Sequence, residues 1–111
     1  MFYFWYNKSM IIKIKVFNRF ETHKMILDGD KNLVEYNGLV ITKNVDNEIK
    51  KFINIFSSWN GDYNNPMCCD IEDFDVTVFD GKKSKSITGC GNFPENYDEF
   101  KKLLKEIIKC F

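Results

Sequence analysis

Apolar residues in this 111-residue chain recur with two different periods, and the change between them constrains the fold more than any other feature. In "MIIKIKVF", residues 10–17, Ile12, Ile14 and Val16 alternate with Lys13 and Lys15. A two-residue period puts successive side chains on opposite faces of a strand, so one face is apolar and the other charged. "FDVTVF", residues 74–79, repeats the pattern through Phe74, Val76 and Val78. Elsewhere Val45, Ile49, Phe52, Ile53 and Phe56 recur every third or fourth residue, as do Phe100, Leu103, Leu104, Ile107, Ile108 and Phe111. That spacing makes one stripe along a helix, and each stripe needs an apolar surface to cover it. The alternating strands supply that surface. The prediction is an α+β domain: an antiparallel sheet of about five to six strands with two amphipathic helices packed on one face.

Turn signals divide the remaining chain. Asn18-Arg19 leads into "FETHKMIL", where Met25 and Leu27 share a face with His23, and 28–32 reads as a loop. Asn37-Gly38 sits between two β-prone runs and suits a type I′ turn, because both residues tolerate positive φ. The first helix is expected over about 45–58, capped by Asn44 and closed by Trp59. Residues 60–73 read as the one long irregular segment, and Asp80-Gly81 turns the chain into a last strand, "SKSITG". No linker or internal repeat interrupts the pattern, so residues 1–111 form one domain. Residues 1–9 are its aromatic N-terminal extension or edge strand.

"ITGCGNFPENY", residues 87–97, carries glycines at a strand-to-helix junction, where phosphate-binding turns also occur. A dinucleotide turn needs G-x-G-x-x-G, with free N–H groups at the helix start. Gly89 and Gly91 fit, but Pro94 stands in the third place and removes a donor. No Gly-Lys-Ser/Thr is present either. The glycines are therefore read as turning the chain, with Asn96 and Glu99 as a capping box for the last helix.

Trp59, the strand 74–79, the Asp80-Gly81 turn and the run Gly-x-Gly-Asn-x-Pro-x-Asn-Tyr before a helix resemble a group of small bacterial proteins without assigned activity. The resemblance spans residues 59–104 and implies no catalytic residues. Cys90 stands where those proteins often carry Ser.

Other chemistry is sparse. Cys68, Cys69, Cys90 and Cys110 form no C-x-x-C pair, and the single histidine, His23, is distant in sequence. Zinc ligands usually come in pairs two to four residues apart, so no metal and no cofactor are expected. Without a secretory signal, the expectation is a cytoplasmic protein with four free thiols. A Cys90 nucleophile has no base tied to it by a motif. "MFYFWY" is far shorter than the ~20 residues of a membrane span, so no membrane partner is expected.

Charge supplies the remaining signal. Lys+Arg and Asp+Glu are equal at 16 each, which removes the simple case for a general nucleic-acid binder. The distribution is uneven. Residues 1–27 carry five basic residues against Glu21, whereas 60–80 carry six acidic residues and no basic one. Asp62, Asp70, Glu72, Asp73 and Asp75 are read as uncompensated carboxylates on or beside the longest loop, a partner-binding surface for a protein with a basic face. The function expected is a non-catalytic protein-binding module, a small inhibitor of a bacterial effector or nuclease of the immunity or anti-CRISPR type. The alternative is single-stranded nucleic-acid binding by Lys13 and Lys15 with Tyr3, Trp5 and Tyr6. A homodimer through the N-terminal aromatics is the third partner considered.

Overall fold

The computed structural model describes residues 9–59, 62–64 and 72–111. The strands are β1 (Ile11–Phe17), β2 (Thr22–Asp28), β3 (Leu33–Tyr36), β4 (Leu39–Thr42), β5 (Asp62–Asn64), β6 (Asp73–Phe79) and β7 (Ser84–Cys90). The helices are α1 (Asp46–Phe56) and α2 (Tyr97–Ile108). The strands form one sheet in the order β4-β3-β2-β1-β6-β7-β5, antiparallel throughout except for the parallel pair β5–β7. The architecture is the α+β arrangement expected. Its seventh strand, β5, lies inside the segment that composition marks as irregular. Three residues are too few to show a period, so only pairing with β7 makes it a strand.

β1 is central, and its alternation decides the layering. Ile12, Ile14 and Val16 are buried and Lys13 and Lys15 exposed. In register beside them, Val78, Val76 and Phe74 of β6 are buried on the same face. The apolar stripes of both helices close that face. Ile49, Phe52 and Phe56 of α1 and Phe100, Leu103, Leu104 and Ile107 of α2 join the strand residues in one core. Aromatic rings dominate its centre: Trp59 lies 5.4 Å from Phe100, 5.5 Å from Phe74 and 4.9 Å from Phe56, centroid to centroid. Edge and tilted contacts of this kind add to the hydrophobic gain of burying such large rings.

Local chemistry explains the turns. Asn37 (φ 47°) and Gly38 (φ 90°) are both left-handed, as the type I′ hairpin requires. Asp28 and Asp80 each accept two backbone N–H groups from the turns that follow them, Asp30 and Lys31, and Lys82 and Lys83. Asn44 accepts the Asp46 N–H just before α1.

The glycine junction divides its labour in a way the sequence does not show. Gly89 is inside β7, not in the turn. A Cβ there would lie 2.2 Å from the Phe74 ring, so glycine makes room for that ring. Gly91, at φ 76°, is the residue that turns the chain. The capping box is a correction: Asn96 precedes α2 but makes no side-chain cap. Its amide instead donates to the Ile55 carbonyl and to Ser58 Oγ, and its carbonyl accepts the Trp59 indole N–H. A buried indole N–H has no alternative partner, whereas helix-end N–H groups can reach water, so the core takes the side chain.

Candidate functional site

Among the described residues the sheet has one face under the helices and one without a helix. Alternation sends Lys13 and Lys15 of β1, Lys24 and Ile26 of β2, Glu35 of β3, and Asp75 and Thr77 of β6 to the helix-free face. These residues, with the Asn37-Gly38 turn, line an open groove of about 710 Å³. A second hollow of about 420 Å³, lined by Ile11, Phe79 and Ser84, adjoins it at Lys13 and Thr77.

The charges in this groove are arranged across strands. Lys15 stands opposite Lys24 on one side and Asp75 on the other. Like charges directly opposite destabilise a sheet, so the lysine pair gives the fold nothing. Lys13, Lys24, Glu35 and Asp75 make no ion pair among the described residues, and the Lys15 ammonium sits over the Phe17 ring, 4.7 Å from its centroid. The basic strand and one residue of the acidic stretch, Asp75, thus share one surface on adjacent strands.

The five acidic residues expected to act together are distributed. Asp75 faces the groove and is exposed, and Asp73 is half-buried at the end of β6 opposite Phe17. Asp62 contributes its backbone to β5 opposite Thr88. Asp70 lies outside the described residues, as do Tyr3, Trp5 and Tyr6. Glu72 is drawn into a different environment. Its Oε2 accepts the Tyr97 hydroxyl at 2.5 Å, and its Oε1 meets Lys101 Nζ at 2.6 Å. Burial, the largest single influence on Glu72, pushes its carboxyl upward. The hydrogen bonds from Lys101 and Tyr97 and the Lys101 charge together outweigh it and hold the group below its ordinary range. Burial, then the Glu72 hydrogen bond and charge, push the Tyr97 hydroxyl far above its usual range. Glu72 is therefore a compensated carboxylate that fastens the start of β6 to α2. The expectation of five uncompensated acids is corrected at that position, because α2 lies within reach only once the core has formed.

Glu35 is the charged groove residue that lies outside both charge blocks, and Lys24 belongs to the basic block of residues 1–27 without being singled out there. Parity within β2 and β3 carries the signal, since Lys24 precedes buried Met25 and Glu35 follows buried Val34. His23 is half-buried. Its Nδ1 is 2.7 Å from the Tyr36 hydroxyl, and its ring stacks on Tyr36. It is a packed histidine on the opposite face from the groove.

The thiol expectation is also corrected. Cys90 is disulfide-bonded, and Cys110 is free and exposed. Sequence spacing could not anticipate this, because the parallel register sets Asn64 of β5 against Cys90 at the end of β7. The chain that runs on from β5 toward Cys68 and Cys69 therefore starts beside Cys90. No group of three or more His, Cys, Asp or Glu among the described residues is placed to hold a metal. No helix among them is long and apolar enough to cross a membrane. Comparison with protein-family models, with curated proteins and with solved structures finds no match to this chain.

Proposed function

We propose that this chain is a non-catalytic protein-binding module that lays the helix-free face of its sheet against a partner protein, as a small inhibitor occupies another protein's surface. The observation that carries the reading is the groove in which Lys13, Lys15 and Lys24 lie beside Asp75 and Glu35. A partner carboxylate at the Lys15–Lys24 pair relieves a repulsion, and a partner cation at Asp75 gains a carboxylate that has no ion pair among the described residues. Such mixed polarity suits a protein surface. A phosphate backbone following the same groove meets Asp75 and Glu35 as well as the lysines, which weakens the case for a nucleic acid. A bacterial effector or nuclease with charges of both signs around its working channel is the class of partner that fits.

The test begins with capture of the partner from the native host and identification by mass spectrometry. Binding of that partner is then measured for Lys13→Glu with Lys15→Glu, and separately for Asp75→Lys. Each should weaken binding at least tenfold and slow association, with the melting temperature nearly unchanged. Unaltered affinity in both variants sinks the proposal. Retention of a labelled single strand by the wild type, abolished in the lysine variant, would replace it with the nucleic-acid reading.

A further inference from the structure

A second surface, separate from the groove, lies at the edge of the sheet. We propose that β4 is a self-docking edge, through which two copies of the chain join their sheets by antiparallel β4–β4 pairing about a two-fold axis at Ile41.

The backbone geometry leads there first. Among the described residues β4 has only one neighbour in the sheet, β3. In the hairpin, Tyr36 pairs with Leu39 across the two-residue turn, and Val34 pairs with Ile41. Antiparallel ladders alternate, so Leu39 and Ile41 direct their N–H and C=O groups to β3 while Val40 and Thr42 direct theirs outward. The Asn37 N–H bonding to Lys24 and the Lys43 N–H bonding to Asn32 fix this parity on both sides of the strand. A two-fold axis at Ile41 sets Val40 of each copy opposite Thr42 of the other. Both residues are outward-facing, so both pairs exchange two hydrogen bonds, four in all. The edge is self-complementary in the sense that an isologous interface requires.

The side chains agree. Leu39–Thr42 holds no charged residue, so nothing repels across the axis, and it lacks the lysine or proline that commonly protects an edge. Leu39 is 63% exposed and Val40 55%, the second and third most exposed large apolar side chains among the described residues. Phe111 adds to the same rim through its contact with Tyr36, which stands opposite Leu39.

Sedimentation over a range of concentrations tests the proposal on the full chain. The expected mass rises from the 13.2 kDa of one chain toward twice that value. Val40→Pro removes an outward N–H and no bond to β3, a substitution that edge strands tolerate. It should abolish the dimer and keep cooperative unfolding. Should that variant not fold, Val40→Lys, at an exposed side chain, is expected to weaken the dimer at least tenfold. Residue-resolved amide exchange on the unaltered chain gives an independent reading. The Val40 and Thr42 amides should slow at high concentration and speed up on dilution, while those of Leu39 and Ile41 stay as they are. A constant single-chain mass, a dimer that survives both substitutions, or a dimer whose Val40 and Thr42 amides remain fast overturns the proposal.

Discussion

The indole N–H of Trp59 donates to the side-chain carbonyl of Asn96, 37 residues away in sequence. That bond joins the exit of α1 to the entrance of α2. The same Asn96 amide holds the Ile55 carbonyl and Ser58 Oγ from the other side, so one side chain ties both helices. Trp59 is fully buried. Asn96→Ala therefore leaves a desolvated N–H without a partner, at a cost of about 1–3 kcal/mol. Thermal unfolding should show a midpoint lower by roughly 10 °C, the scale on which about 2 kcal/mol acts in a domain of this size. In a Trp59→Phe background the donor is already gone, so the further loss caused by Asn96→Ala should be smaller there. Equal losses in the two backgrounds would contradict the role given to the indole bond.

Gly89→Ala should destabilise by about 2 kcal/mol or more, because its Cβ enters the space of the buried Phe74 ring and overpacks the core. Phe74→Leu removes ring atoms at the point of collision and carries its own cost as a large-to-small change. The double variant should be less destabilised than the sum of the two single ones. Denaturant unfolding of the three proteins measures that coupling, and simple additivity would place the strain elsewhere.

Glu72 predicts a pH dependence. Its carboxyl is held below its ordinary value of 4.5 in the folded protein, so the unfolded chain takes up a proton first as pH falls. The stabilisation is complete above about 4.5 and is lost as the pH drops through the folded-state value. Glu72→Gln should therefore cost about 1 kcal/mol at neutral pH, a modest figure because the Lys101 pair is partly exposed. The difference from wild type should shrink steadily below pH 4.5. Parallel stability curves down to the acid limit would deny Glu72 this role.

Of the four cysteines, the disulfide at Cys90 consumes two. Thiol titration of the denatured, unreduced protein should return two thiols per chain, and Cys90→Ser should return three. Four thiols in the wild type would mean that the bond does not form in the isolated protein. Reduction should also lower the melting temperature, since the cross-link limits the freedom of the unfolded chain.

Residue periodicity by itself determined the layers of this protein. Alternation in 12–16 and 74–78 and the stripes of 45–56 and 100–107 are local properties, and each obliges its element to bury one face. The Asn37-Gly38 turn was equally legible, because the positive φ values it needs are a property of those two residues. Only the tertiary structure decided what crosses the chain. Strand order set Lys15 beside both Lys24 and Asp75, bringing one carboxylate of the acidic block into the groove of the basic one. Register made β5 a strand and brought its end beside Cys90. The closed core assigned Asn96 to Trp59 rather than to its own helix, and Glu72 to Tyr97 and Lys101 rather than to an acidic surface. Each of these depends on partners far apart in sequence, and their meeting is fixed by packing and strand pairing, which no local pattern encodes.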